Sequence, residues 1–239
     1  ACFDAPSVSN PACVGPTGIK RDFVTGSLSG DPSTTGGLFL ASTNAGRWET
    51  AGIDFTINWS YPINDDMTFN FGMNGNWTQK LKFQATPVSI NRECVGYFSE
   101  NCGSLAPAFG FFNTYGLTWK DIDFAILHRY MSSMEQEPLD ADPTQGGSPN
   151  FVGKLTGGTL AGQEVNFREI PAKNYLDFSV GFNFTENLYV AFLISNLLNT
   201  EPPLVGSEAG STAFNSGNTF PSTYDALGRR FSMTARLRF

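Results

Sequence analysis

Four cysteines, one histidine and a scatter of aspartates are the residues whose types could do covalent or metal chemistry. The cysteines fall into two local pairs: Cys2 and Cys13 flank a Pro/Ser/Asn stretch, and Cys94 and Cys102 flank VGYFSEN. Pairs set in loop-like sequence are the pattern of small disulfide-closed loops in an oxidising compartment. Free thiols are the second reading and zinc the third. Zinc has poor support, because neither pair has the short gap of a zinc knuckle and His128, the sole histidine, is remote in sequence. His128 shares alternation with Ile126 and Tyr130, and no Ser or Cys nucleophile motif accompanies it. Asp65–Asp66 reads as turn chemistry, and Asp140 and Asp142 in PLDADPTQGG lack EF-hand spacing. Asn58, Asn76 and Asn183 match the glycosylation pattern but fall within or at the end of extended segments, so the matches are discounted. The expectation is a protein that is not an enzyme, with no resident metal or cofactor.

The remaining polar residues of note are arginines. In the terminal GRRFSMTARLRF, Phe231, Met233, Ala235, Leu237 and Phe239 share one parity, and Arg230, Ser232, Thr234, Arg236 and Arg238 share the other. Alternate side chains of a strand point to opposite faces, so the segment has an oily face and a cationic one. Six further segments repeat the pattern around residues 50–60, 67–79, 111–120, 121–131, 174–184 and 186–196. In the first, Ile53, Phe55, Ile57 and Trp59 oppose Asp54, Thr56, Asn58 and Ser60. A period of two, with Gly, Asn, Thr and aromatics in place of helix formers, predicts strands. The 239 residues are only 15% charged, with 22 Phe and 25 Gly, a composition that does not suggest disorder. The net charge of -7 argues against a nucleic-acid partner. No apolar run is long enough for a transmembrane helix. ACFDAPSVSNPAC has neither a basic nor an apolar leader region, so any signal peptide is expected upstream of it or already removed.

Connections alternate in length. Tight turns fall at YPINDD, Lys120–Asp121 and TENL, and long polar stretches fall at 81–108, 134–171 and 198–227. A meander with short turns at one end and long loops at the other is the pattern of an outer-membrane β-barrel. A compact soluble domain rarely carries three loops of roughly twenty residues or more. Trp48, Trp59, Trp77, Trp119, Tyr130 and Tyr175 stand near strand ends, where aromatic girdles are expected; His128 is placed with them. Seven strands cannot close an up-and-down barrel, because the first and last would run parallel. Either an eighth strand lies in the first 45 residues, or the chain is part of a larger wall.

Three segments resemble the C-terminal part of TonB-dependent outer-membrane receptors: RWETAGIDFTINWSYPIND, ISNLLNTEPP and the terminal TFPSTYDALGRRFSMTARLRF. The paired-cysteine loops are also similar to those of some members. The resemblance implies an all-β, antiparallel up-and-down meander forming the last seven or so strands of a 22-stranded transmembrane barrel. Residues 1–37 would then be an extracellular loop and 38–239 the strands, with the plug domain absent. Phe239 would be the terminal aromatic that the barrel-assembly machinery recognises. Arg230, Arg236 and Arg238 would face the lumen, pairing with plug or wall carboxylates such as Asp54, Asp123 or Asp177.

The functional expectation is active uptake of a scarce nutrient such as a siderophore, vitamin or oligosaccharide across the bacterial outer membrane. The implied partners are outer-membrane lipid and lipopolysaccharide, the rest of the barrel, and TonB acting through the plug. Phe98, Phe109, Phe111, Phe151 and Phe220 are candidate apolar contacts for the small-molecule ligand, against loop packing as the plainer role. Two alternatives stand: a small self-contained outer-membrane barrel acting as an adhesin or structural protein, and a soluble secreted β-sandwich with a binding role.

Overall fold

The computed structural model describes residues 46–137, 152–159, 161–206 and 216–239. Cys2, Cys13, Phe151, Asp140, Asp142, the 1–37 segment and the candidate eighth strand lie outside the described residues. The chain is all-β. In order, the strands are β1 (Arg47–Asn64), β2 (Met67–Gln84), β3 (Arg92–Glu93), β4 (Tyr97–Ser99), β5 (Ser104–Ala106), β6 (Phe109–Trp119) and β7 (Ile122–Met131). They continue with β8 (Met134–Gln136), β9 (Val152–Lys154), β10 (Glu164–Asn166), β11 (Glu169–Ile170), β12 (Lys173–Thr185), β13 (Leu188–Ser195) and β14 (Arg230–Leu237).

The seven long strands form one antiparallel meander, β1-β2-β6-β7-β12-β13-β14, with β3 added to β2. Neighbours in the meander are joined alternately by a tight turn and a long loop. The turns are built locally. Asn64 accepts the Asp66 amide on its Oδ1 at 3.0 Å, Lys120 takes a positive φ of 50°, and Thr185 Oγ1 caps Asn187 and Leu188.

Cross-strand partners share a face, so the register carries one side chain row across the whole sheet. One face is predominantly apolar from edge to edge, with Asn113 and His128 among its polar exceptions. Ile57, Met73, Asn113, His128 and Leu176 make one row, and Trp59, Phe71, Tyr115, Ile126, Phe178, Ile194 and Phe231 make the row below it. Ile53, Ile57, Trp59, Tyr61, Ile126, Phe192, Phe231 and Met233 are all exposed on this face. The opposite face carries Thr, Ser, Asn, Asp and Arg. No second layer covers the apolar face among the described residues, in contrast to a sandwich.

Above Gly52 the outer face changes character. A bulge there leaves Gln79 of β2 unpaired, and beyond it Arg47, Glu49, Lys80 and Lys82 replace the hydrophobic positions. Glu49 is ion-paired with Arg47 at 2.7 Å and with Lys80. Trp48 therefore is not a girdle residue: it lies beyond the apolar band and packs on Phe83 in a tilted ring pair with centroids 4.8 Å apart. Trp59 likewise sits within β1 rather than at its end, stacked on Tyr61.

The long connections at the other end from the turns fold among themselves. β11, β8, β4 and β5 make a four-stranded sheet of loop segments. Phe98, Met134, Ile170, Tyr175, Val205, Phe220 and Tyr224 form its buried core. Cys94 and Cys102 are joined in a disulfide and pack with Ala106 against Leu81 and Phe83. The ISNLLNTEPP turn has a clear physical basis. Asn196, fully buried at φ 53°, takes Thr200 N–H on its Oδ1 and donates to the Thr200 carbonyl, while its own amide donates to Asp177.

Candidate functional site

The polar face forms a cavity at its loop end, built by the β2, β6, β7 and β12 members of two adjacent rows of the ladder. The lower row runs Thr56, Asn74, Phe112, Arg129, Tyr175 across β1, β2, β6, β7 and β12. The upper row runs Asp54, Asn76, Gly110, Met131, Lys173. Gly110 carries no side chain between Asn76 and Met131, and a Cβ there would come within 3.4 Å of Asn76 Oδ1. Thr223 and Tyr224 of the last loop also line the cavity. The hollow is open on one side and has a volume of about 410 Å³, within the roughly 300–1,000 Å³ range of small-molecule sites.

Two cations line this cavity and no acidic side chain does, among the described residues. Arg129 lies over the Tyr175 ring, 5.2 Å from its centroid, in a cation–π arrangement. Its guanidinium approaches Asp177 only to 3.6 Å. Its Nε is buried without a partner in hydrogen-bond geometry among the described residues, as is the Tyr175 hydroxyl. Lys173 donates to the Glu201 carbonyl at 2.8 Å. Tyr224 donates to Met131 Sδ at 3.3 Å. Burial, and secondarily Tyr175, push the Tyr224 phenol far above its ordinary value, so it stays a neutral donor.

The roofing loop is tied to the last strand. Asp225 accepts from Arg230 at 2.6 Å and from the Leu227 amide at 3.0 Å. Burial works to raise the Asp225 carboxyl, but the Arg230 and Leu227 hydrogen bonds outweigh it and hold the group below the usual carboxylate range.

The sequence-derived candidates divide. Phe98 and Phe220 are shut inside the loop core, so loop packing is their role and they offer no surface to a ligand. Phe109 and Phe111 belong to the apolar outer rows. Phe109 stacks with Phe55, and Phe111 stacks on Tyr130 at 5.1 Å and meets His128 edge-on at 5.0 Å; Phe111 also borders the cavity. Tyr175 is not a girdle residue: it faces the cavity row and is 4% exposed. His128 lies on the apolar face and its Nε2 is 2.8 Å from Asn174 Oδ1.

Arg230 and Arg236 lie on the polar face, but Arg230 pairs with Asp225 rather than with Asp54, Asp123 or Asp177. Arg236 and Arg238 line a separate polar hollow at the turn end, with Asp123 and Glu186. Phe239 is fully exposed beyond β14.

Sequence reading missed Asn74, Asn76, Phe112, Lys173 and Tyr224 as a group. Parity alone puts the strand members on the polar face. The register that aligns them across four strands is a property of pairing and not of any one segment.

No protein-family model matches the chain, and no curated protein matches it. Among solved structures it is similar to the ferric enterobactin receptor of Pseudomonas aeruginosa. A receptor mutant in complex with enterobactin is 12% identical, with a TM-score of 0.44, over 80% of this chain and 22% of the receptor chain. A second mutant of that receptor gives the same coverage and identity with a TM-score of 0.43. The chain thus spans 22% of the length of the receptor chains it matches.

Proposed function

We propose that the chain forms seven consecutive wall strands of a TonB-dependent outer-membrane receptor, and that its loop-end cavity helps bind a scarce nutrient for uptake. The observation that carries this reading is the uncovered apolar face, continuous over seven strands and backed by a polar face. In water such a face would be an aggregation surface; in hydrocarbon it is matched to its solvent. Each outer strand, β1 and β14, also has an unpaired edge among the described residues. An open edge in lipid costs several kcal/mol per unsatisfied backbone group, so further strands must complete the wall.

In this reading the disulfide-closed 81–108 loop and the 134–171 and 198–227 loops face the outside. The polar hollow at Arg236 and Arg238 faces the barrel interior, where a plug coupled to TonB would sit. Phe239 serves as the assembly signal, and lipopolysaccharide and lipid contact the apolar rows. The role is transport and not catalysis.

The test is fractionation of the natural full-length gene product together with uptake. The protein is expected in the outer membrane, and accumulation of its nutrient should stop when either its gene or TonB is deleted. A water-soluble monomer, or uptake indifferent to TonB, overturns the reading.

A further inference from the structure

We infer that the loop-end cavity binds a hydroxylated ring carboxylate, an acidic sugar, with Arg129 and Lys173 holding the carboxylate. The inference rests on the receptor reading above and specifies its ligand. Arg129 and Lys173 stand on adjoining strands β7 and β12 in adjacent rows, with Tyr175 beside Arg129 in the lower one. The chain carries net charge -7, yet this cavity is lined by two cations and by no carboxylate among the described residues.

Neither cation is saturated by the protein. Arg129 forms a 3.6 Å ion pair with Asp177 that leaves its Nε unpartnered among the described residues, and Lys173 spends one of three donors on a carbonyl. A planar guanidinium beside an ammonium suits a carboxylate, which accepts on two oxygens.

The rest of the lining is suited to hydroxyls and to a ring. Asn74 Oδ1 is engaged by Thr56 at 3.0 Å and Asn76 Nδ2 by Thr78 at 3.4 Å. These bonds orient the two amides and leave the Asn74 nitrogen and the Asn76 oxygen to pair with a ligand. Phe112, exposed on the polar face, supplies an apolar surface against which a sugar ring can lie. About 410 Å³ leaves room for one or two such rings. An aromatic acid shares the carboxylate but would leave the two amides unpaired.

The test uses the full-length protein in detergent, with calorimetric titration of galacturonate and digalacturonate, neutral galactose and benzoate. The acidic sugars should bind at least tenfold tighter than galactose and benzoate, less tightly as salt is raised. Arg129→Gln and Lys173→Gln should each weaken acidic-sugar binding by tenfold or more, a loss typical of a charge-assisted hydrogen bond.

Heat-dependent gel mobility of each preparation reports whether a barrel has formed. If wild type shows no folded barrel, the receptor reading fails and this inference with it. If the barrel forms but the acids do not bind, or galactose or benzoate binds as well, the ligand assignment alone is overturned. Acidic-sugar binding that is unchanged in both folded variants overturns it too.

Discussion

Ile126 and Leu127 are adjacent in β7, and the wall reading assigns them opposite solvents. Ile126 lies in the apolar row between Tyr115 and Phe178, and Leu127 lies in the polar row between Thr114 and Asp177. Ile126 is five residues above Asp121 of the turn. With a rise of ~3.3 Å per residue and a strand tilt of about 40°, that is about 13 Å, half of the roughly 25 Å apolar band of an outer-membrane barrel. Arginine at the midplane costs about 2–4 kcal/mol on the lipid face. Ile126→Arg should therefore lower the folded-to-unfolded ratio by about 30- to 1,000-fold.

Leu127→Arg places the same side chain on the face that carries Asp177, and the expected change is within about 1 kcal/mol. In a water-soluble sheet Ile126, at 39% exposed, would be an ordinary surface position, and its substitution would cost within about 0.5 kcal/mol. The assay is reversible guanidinium unfolding of the full-length protein in phospholipid vesicles, followed by tryptophan fluorescence. Equal effects of the two substitutions, or a cost below about 1 kcal/mol for Ile126→Arg, refute the assignment of the apolar face to lipid.

Gly52 sits where a Cβ would overlap the Trp77 carbonyl oxygen and lie 3.2 Å from Thr78 Cα. Gly52→Ala should cost about 1–3 kcal/mol by forcing backbone apart, with Gly157→Ala, which meets open space, as the neutral comparison in the same unfolding assay. The Asp225–Arg230 link should keep the last loop docked throughout the neutral range. Because the folded Asp225 value is depressed, its contribution is complete above the unfolded value of about 3.9 and is lost only as pH falls through the lower folded value. Limited proteolysis against pH should show the loop released in acid, and Asp225→Asn should release it at neutral pH. The Cys94–Cys102 bond closes a short loop with a sequence separation of 8, for which chain entropy gives about 2.5 kcal/mol. Both sulfurs are buried, so reductant alone should leave the bond intact, and Cys94→Ala with Cys102→Ala should speed protease cutting within 81–108.

The sequence by itself determined the strands and their faces. Alternation of period two is local: Phe231, Met233, Ala235 and Leu237 declare an oily side without reference to anything they pair with. Turn residues and loop lengths are equally local, so the meander and the asymmetry of its ends were also legible, and so was the Cys94–Cys102 pairing as one of several possibilities. What only the tertiary structure decided was everything that depends on register. Asn74, Phe112, Arg129 and Tyr175 are separated in sequence by loops and turns whose length does not specify which residue meets which, yet pairing puts them in one row. Phe98 and Phe220 look in sequence like loop aromatics available to a ligand, but the packing of two distant loops buries both. Arg230 was placed on the polar face by parity alone, whereas its partner, Asp225, depends on how the last loop turns back onto β14. Face is a property of one strand; neighbours are a property of the sheet.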